Sequence, residues 1–203
     1  QLYAMVATGS NSKYFKLKND IYLNDVKSRD INALAANELN DWMQYSNISN
    51  KSFNGYLDGN YHTVYGLYSS SGTAALIPNC ATAQISNLNI AKSKLFGKNT
   101  GGIVGEIAEG KTVKLTGCSV CETQLLGEKC AGGLVATGKG NVQLNRCFSY
   151  DLTFGSSENK GGLIGKVTGD SSKLSDCYSA GAYPVGGSVS IFTTSNTKKV
   201  YTD

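Results

Sequence analysis

The chain is poor in several residue types that catalysis, nucleic-acid binding and membrane insertion require. His62 is the only histidine, which removes Ser–His and Cys–His nucleophilic schemes unless it acts alone. Of 19 basic residues only Arg29 and Arg146 are arginine, and the lysines are scattered singly. With no clustered basic stripe, the net charge of +4 does not point to a nucleic-acid partner. No apolar run approaches the ~20 residues that cross a bilayer, so no membrane insertion is expected within this chain. Neither an initiator methionine nor a signal peptide precedes Gln1, and the chain reads as a piece of a longer protein. Apolar residues at 40% and charged residues at 17% are both low for a globular domain. Proline occurs twice in 203 residues.

What fills the composition instead is 24 glycines, 12 tyrosines and many Ser, Thr and Asn. Such a mix suits short strands joined by tight turns and is poor for long helices. Apolar residues recur along the whole chain, which argues against disorder.

One pattern organises the second half. Gly101-Gly102-Ile103-Val104-Gly105 returns as Gly132-Gly133-Leu134-Val135-Ala136 and as Gly161-Gly162-Leu163-Ile164-Gly165. The intervals are 132 − 101 = 31 and 161 − 132 = 29 residues, a period that marks stacked repeats. A short apolar strand follows each glycine pair, then a polar turn and a second strand, such as Val113-Lys114-Leu115. Next comes a two-residue corner, Thr116-Gly117, Asn145-Arg146 or Ser175-Asp176, and then Cys118, Cys147 or Cys177. The alternation of apolar positions shifts by one residue at that corner, so the strand bends there. A third short segment, Gln124 to Gly127 or Leu152 to Gly155, leads to the next glycine pair.

No gap in the repeated half is long enough for a crossover helix. The predicted fold is therefore all-β: a parallel β-helix closing one turn per repeat, with turns stacked ~4.8 Å apart. Parallel crossovers make it right-handed. About five or six rungs are expected. Leu88 and Val200 extend the cysteine column in both directions, and Ala74-Ala75-Leu76-Ile77 stands in for a glycine-pair strand. Cysteine is readily buried, so that column is explained by packing. Cys121 and Cys130 fall outside it and could pair with each other; the redox compartment stays open.

Upstream, Tyr14 to Leu23 and Phe53 to Leu67 each read as two strands around a corner, at Asn19-Asp20 and Asp58-Gly59-Asn60. Between them Ile31, Leu34, Ala35, Leu39, Trp42 and Met43 recur at helical spacing behind Ser28 or Asp30. A short inserted helix is expected there. The whole chain is read as one domain: a cap over 1–13, non-repeat rungs with the insertion over 14–73, and repeated rungs over 74–203. A cap is expected because an open solenoid end exposes strand edges.

These motifs carry a resemblance over roughly residues 14–180. Gly-Gly-Leu-Val-Gly repeats followed by Asp176-Cys177-Tyr178-Ser179 resemble GLUG-motif proteins. Asn19-Asp20-Ile21 and Phe53 to Leu67, with Gly55, Asp58-Gly59, His62-Thr63-Val64 and Gly66-Leu67, look like the segment preceding such repeats. Ala136 and Pro78 depart from the pattern. The resemblance implies a secreted or surface-anchored bacterial protein with right-handed β-helix modules. Such modules occur in adhesin-like proteins and beside catalytic domains, including IgA-specific metallopeptidases.

Enzymes of this shape need carboxylates at equivalent positions of neighbouring rungs, for calcium or for sugar hydrolysis. The repeated positions hold Gly, Leu, Cys and Ser, while Asp20, Asp58, Asp170, Asp176 and Arg146 read as corner residues. No catalytic residue, metal site or cofactor is therefore assigned. Cys118-x-x-Cys121 lacks the second pair that zinc requires. The glycine-rich stretches open no helix and do not match a phosphate loop. His62 is expected to face inward and bond corner backbone. Asn47-Ile48-Ser49 and Asn50-Lys51-Ser52 match the glycosylation sequon.

Two surface features are candidates for binding. Val104, Val135 and Ile164 either stack outward as an apolar stripe or are tucked in by a bend at the glycines. Tyr61 and Tyr65 alternate against His62 and Val64 and should face solvent, with Tyr56 and Tyr68 nearby, offering flat faces with polar tips. The expected function is a non-catalytic extracellular scaffold, an adhesion or spacer module. Its partners would be a host or cell-surface protein or glycan, and flanking domains of the same polypeptide. The alternative is an accessory, glycan-binding domain of a larger extracellular peptidase or carbohydrate-active enzyme.

Overall fold

Positions that repeat in the sequence lie over one another in the computed structural model, which describes residues 2–7, 11–42, 51–70, 72–181, 185–186 and 197–202. Seven strands pair along one side: Asn11–Lys16, Phe53–Asp58, Ile77–Ser86, Thr112–Thr116, Asn141–Asn145, Lys173–Ser179 and Thr197–Thr202. Every pairing is parallel, as a coil that returns in the same direction requires. Val200 pairs with Cys177 in register. Ser119 pairs with both Asn89 and Phe148, and Phe148 pairs with Tyr178. The residue before each is therefore Leu88, Cys118, Cys147 and Cys177, one buried column. The β-solenoid is the observed fold.

About four regular turns separate the five stacked strands that run from Phe53–Asp58 to Lys173–Ser179, in keeping with the rung count that the period predicts. The turn before them carries the insertion, and the turn after them runs largely outside the described residues.

The corners explain the phase shifts. Asn87, Gly117, Arg146 and Asp176 sit at one corner with φ of 51°, 63°, 52° and 53°. A left-handed residue there reverses the pleat, so apolar side chains on both sides of the corner point into the same core. A second corner column, unexpected from the sequence, consists of Lys92, Glu122 and Asp151, with φ of 50°, 47° and 50°.

The paired glycines serve close stacking. A Cβ at Gly133 would overlap the carbonyl oxygen of Gly162, and one at Gly102 would approach that of Gly133. This compression also decides the fate of the apolar stripe. Ile103, Leu134 and Leu163 and their successors Val104, Val135 and Ile164 are all fully buried. The bend tucks both columns into the core, and no outward stripe exists there.

The insertion differs from the expected helix. It forms two 3₁₀ turns, Ile31–Ala33 and Ala36–Glu38, because each is stopped by an extended residue, Leu34 and Leu39. Asp30, one of the two predicted caps, accepts the Asn32 N–H at 2.9 Å. The Glu38 carboxylate folds back to the Ala35 N–H at 2.9 Å. Ile31, Leu34 and Leu39 pack with Val26 and Tyr68 in a small core of their own, which explains their helix-like spacing. Ala35 is exposed, and Met43 and both sequon asparagines lie outside the described residues. The span 1–13 predicted as a cap holds a helix and the start of a strand. Helix Leu2–Ala7 places Met5 and Val6 in the main core, and a strand begins at Asn11.

All six cysteines are free and buried. Cys121 stacks between Ala91 and Tyr150, whereas Cys130 stacks between Asn99 and Asn159. The two lie in different columns, and no bridge joins them.

Candidate functional site

The four predicted tyrosines do not form one surface. Tyr56 lies beside Tyr14 on the strand before the first corner, and both are exposed. The Tyr14 hydroxyl donates to Asp58 Oδ2 at 3.3 Å. Tyr61 is 77% exposed on the corner itself, at φ 64°. Tyr65 lies after the corner, half-buried and stacked on Tyr22 with centroids 4.7 Å apart. The Lys27 ammonium sits 4.1 Å from the Tyr22 ring centroid and extends that stack toward the insertion. Tyr68 corrects the expectation of exposure: it is 5% exposed, edge-on to Phe96, because the insertion folds over it.

His62 is also placed differently. Its Nδ1 lies 3.2 Å from Asp20 Oδ1, which accepts the Thr63 N–H at 2.9 Å. The ring faces a carboxylate one turn away instead of corner backbone, since the corner leaves it at the rim of the coil.

Two other features emerge from the register. The residue after the cysteine column is aromatic in three successive turns: Phe148, Tyr178 and Tyr201, exposed by 40%, 40% and 60%. Tyr150 joins them, its ring 6.3 Å from that of Phe148 and within 11° of parallel. Its hydroxyl hydrogen-bonds Cys121 one turn away, and that interaction, ahead of burial, pushes the phenol up to about 12. The signal was present in the sequence, as Cys147-Phe148, Cys177-Tyr178 and Val200-Tyr201.

The second feature is a groove of about 520 Å³ between the insertion, Val26 to Asn32, and the corner column Lys92, Glu122 and Asp151. The pairs Cys121–Tyr150 and Thr123–Leu152 bracket Glu122 and Asp151, which therefore occupy equivalent positions of neighbouring turns. This corrects the expectation that no carboxylates align. It was missed because Lys92, Glu122 and Asp151 share no residue type, and only the left-handed corner reveals their equivalence. Among the described residues, no group of three His, Cys, Asp or Glu side chains is placed to hold a metal ion.

The buried thiols differ: burial raises Cys118, but its contact with Cys147 and its hydrogen bonds to the Leu88 and Thr116 backbone outweigh burial and hold it below the ordinary value. Burial pushes the Cys80 thiol up to about 12. Cys147 is likewise at about 12, first through its contact with Cys118 and then through burial. Cys147 Sγ donates to the Leu115 and Asn145 carbonyl oxygens, each at 3.4 Å. Enclosed in the packed core, Cys80, Cys118, Cys147 and Cys177 are closed to a reactant from solvent.

The chain matches no protein-family model, no curated protein and no solved structure. No helix among the described residues is long and apolar enough to cross a membrane.

Proposed function

We propose that the chain is a non-catalytic scaffold module of a secreted or surface-exposed bacterial protein, serving as a spacer or adhesion element. The observation that carries this reading is the uninterrupted seven-strand parallel ladder over one closed apolar core. Each turn contacts only its neighbours, so length grows turn by turn while the lateral faces stay flat. The GLUG-like repeats supply the extracellular bacterial context.

Duplicating residues 132–160 should lengthen the molecule by about 4.8 Å without lowering its melting temperature. Distances between fluorophores at the two ends measure this; an unchanged distance, or loss of folding, counts against the spacer. A polysaccharide or peptide panel tests the non-catalytic part. Release of reducing ends or cleaved peptide that disappears in Glu122→Gln would overturn it.

A second reading, the glycan-binding accessory domain of a larger extracellular enzyme, is favoured by the strip Phe148, Tyr150, Tyr178 and Tyr201. Flat aromatic faces beside polar groups suit stacking on sugar rings. The strip replaces Tyr56, Tyr61, Tyr65 and Tyr68 as the aromatic surface on which that reading rests.

A further inference from the structure

We infer that the groove between the insertion and the second corner column binds a neutral, linear oligosaccharide, with Glu122, Asp151 and Lys92 as its hydrogen-bonding floor. The inference rests on the glycan-binding reading above and gives that reading a site.

The charge balance narrows the ligand first. Lys27, Arg29 and Lys92 face Asp30, Glu122 and Asp151, three cations against three carboxylates. A site for phosphate, an anionic glycan or a metal ion would carry an excess of one sign. Several of these groups are already engaged: Arg29 with Glu38, Lys27 over the Tyr22 ring, and Asp30 with the Asn32 N–H. Lys92, Glu122 and Asp151 are exposed and make no hydrogen bond or ion pair among the described residues. They stand in line along the coil axis, ~4.8 Å per turn, with Gln124 and Thr153 beside them.

A peptide is a poor match. Extended peptides add to open sheet edges, and here the backbone groups of neighbouring turns pair with one another. Nor is there an apolar floor for a side chain, since Val26 and Ile31 are 5% and 3% exposed. What the groove offers is donors and acceptors of both kinds on planar or branched polar side chains. Hydroxyl groups, which donate and accept at once, are its complement.

Backbone conformation adds an independent argument. Lysine and glutamate rarely take left-handed φ, yet Lys92 and Glu122 hold it, at 50° and 47°. Residues kept in such conformations gather at functional sites, because the rest of the structure must enforce them. At the first corner the same geometry is met mainly by Asn, Gly and Asp, which adopt it readily.

That contrast supplies the test. Glycine at Lys92 or Glu122 relieves the backbone and removes the polar head. Lys92→Gly and Glu122→Gly should each raise the melting temperature by about 2–4 °C and weaken binding at least tenfold. A merely structural role predicts no change in binding. Binding is measured by calorimetry with neutral β-linked and α-linked tetra- to hexasaccharides of glucose, mannose and N-acetylglucosamine. Asp151→Asn and Tyr150→Phe should fold like wild type, with Asp151→Asn weakening binding and Tyr150→Phe retaining it. Wild type that binds none of these at millimolar concentration overturns the glycan reading and the groove together. Wild type that binds, with Glu122→Gly and Asp151→Asn binding equally well, overturns the groove alone. In that case Tyr178→Ala should abolish binding.

Discussion

Trp42 donates its indole N–H to the carbonyl oxygen of Leu76 at 2.9 Å, tying the end of the insertion to the wall of the coil. Both residues are buried in the main core. Asp41 reinforces the tie by accepting from the Ser70 N–H at 3.1 Å and from its hydroxyl. The insertion is thus a strap fastened to the coil at Asp41 and Trp42.

Trp42→Phe keeps most of the ring but leaves the Leu76 carbonyl without this donor, at a cost of about 1–3 kcal/mol. Thermal unfolding should show that loss, and limited proteolysis should cut faster within 26–42. Unchanged stability and unchanged cleavage would mean that the indole bond contributes nothing.

Two glycine substitutions should separate stacking from turn geometry. Gly133→Ala drives a methyl group into the Gly162 carbonyl and should cost about 3 kcal/mol or more. Gly110→Ala meets open space and bears only the left-handed penalty at φ +68°, about 1 kcal/mol. Urea melts of both variants check the ranking, and equal costs would contradict the close stacking.

The buried thiols should resist modification. At pH 8 the native protein should take up little iodoacetamide at Cys80, Cys118, Cys147 or Cys177, and all six cysteines should react once it is unfolded. The sign of the alkaline dependence follows from the raised thiols. Cys80 and Cys147 ionise near 9.0 when unfolded but at about 12 when folded. Their stabilising effect is therefore complete below about pH 9 and is lost as pH rises from there. Mass spectrometry and melts between pH 8 and 11 measure both effects.

Asp58 gives the opposite case. Burial raises its carboxyl, but the Asn60 N–H at 2.8 Å, Asn87, Lys16 and Tyr14 outweigh burial and hold it below the ordinary 3.8. The depressed value means that the folded state resists protonation. Its stabilisation is present above the ordinary carboxylate value and is lost as pH falls through the folded one. Asp58→Asn should lower the melting temperature at pH 7 and flatten the fall between pH 5 and 2. A parallel fall in both proteins would remove Asp58 from the account.

The repeats were legible because a solenoid writes one turn of structure into one period of sequence. Leu88, Cys118, Cys147, Cys177 and Val200 could be aligned by counting, and the register pairs them in that order. The insertion was legible only in part. The spacing of Ile31, Leu34 and Leu39 pointed to a buried face, but 3₁₀ turns and a helix bury the same spacing. Tyr68 illustrates the limit of strand alternation, which says which side of a strand a residue takes but not what later folds across that side.

What the sequence by itself determined is the period, the cysteine column, the first corner and the parallel all-β coil. Each depends on residues close in the chain or on exact repetition. What only the tertiary structure decided is the second corner, the carboxylate pair Glu122–Asp151, the burial of Val104, Val135 and Ile164, and the groove. The physical reason is that a left-handed corner resets the pleat. Beyond it, inside and outside are fixed by stacking between turns, and no periodicity along the chain carries that information.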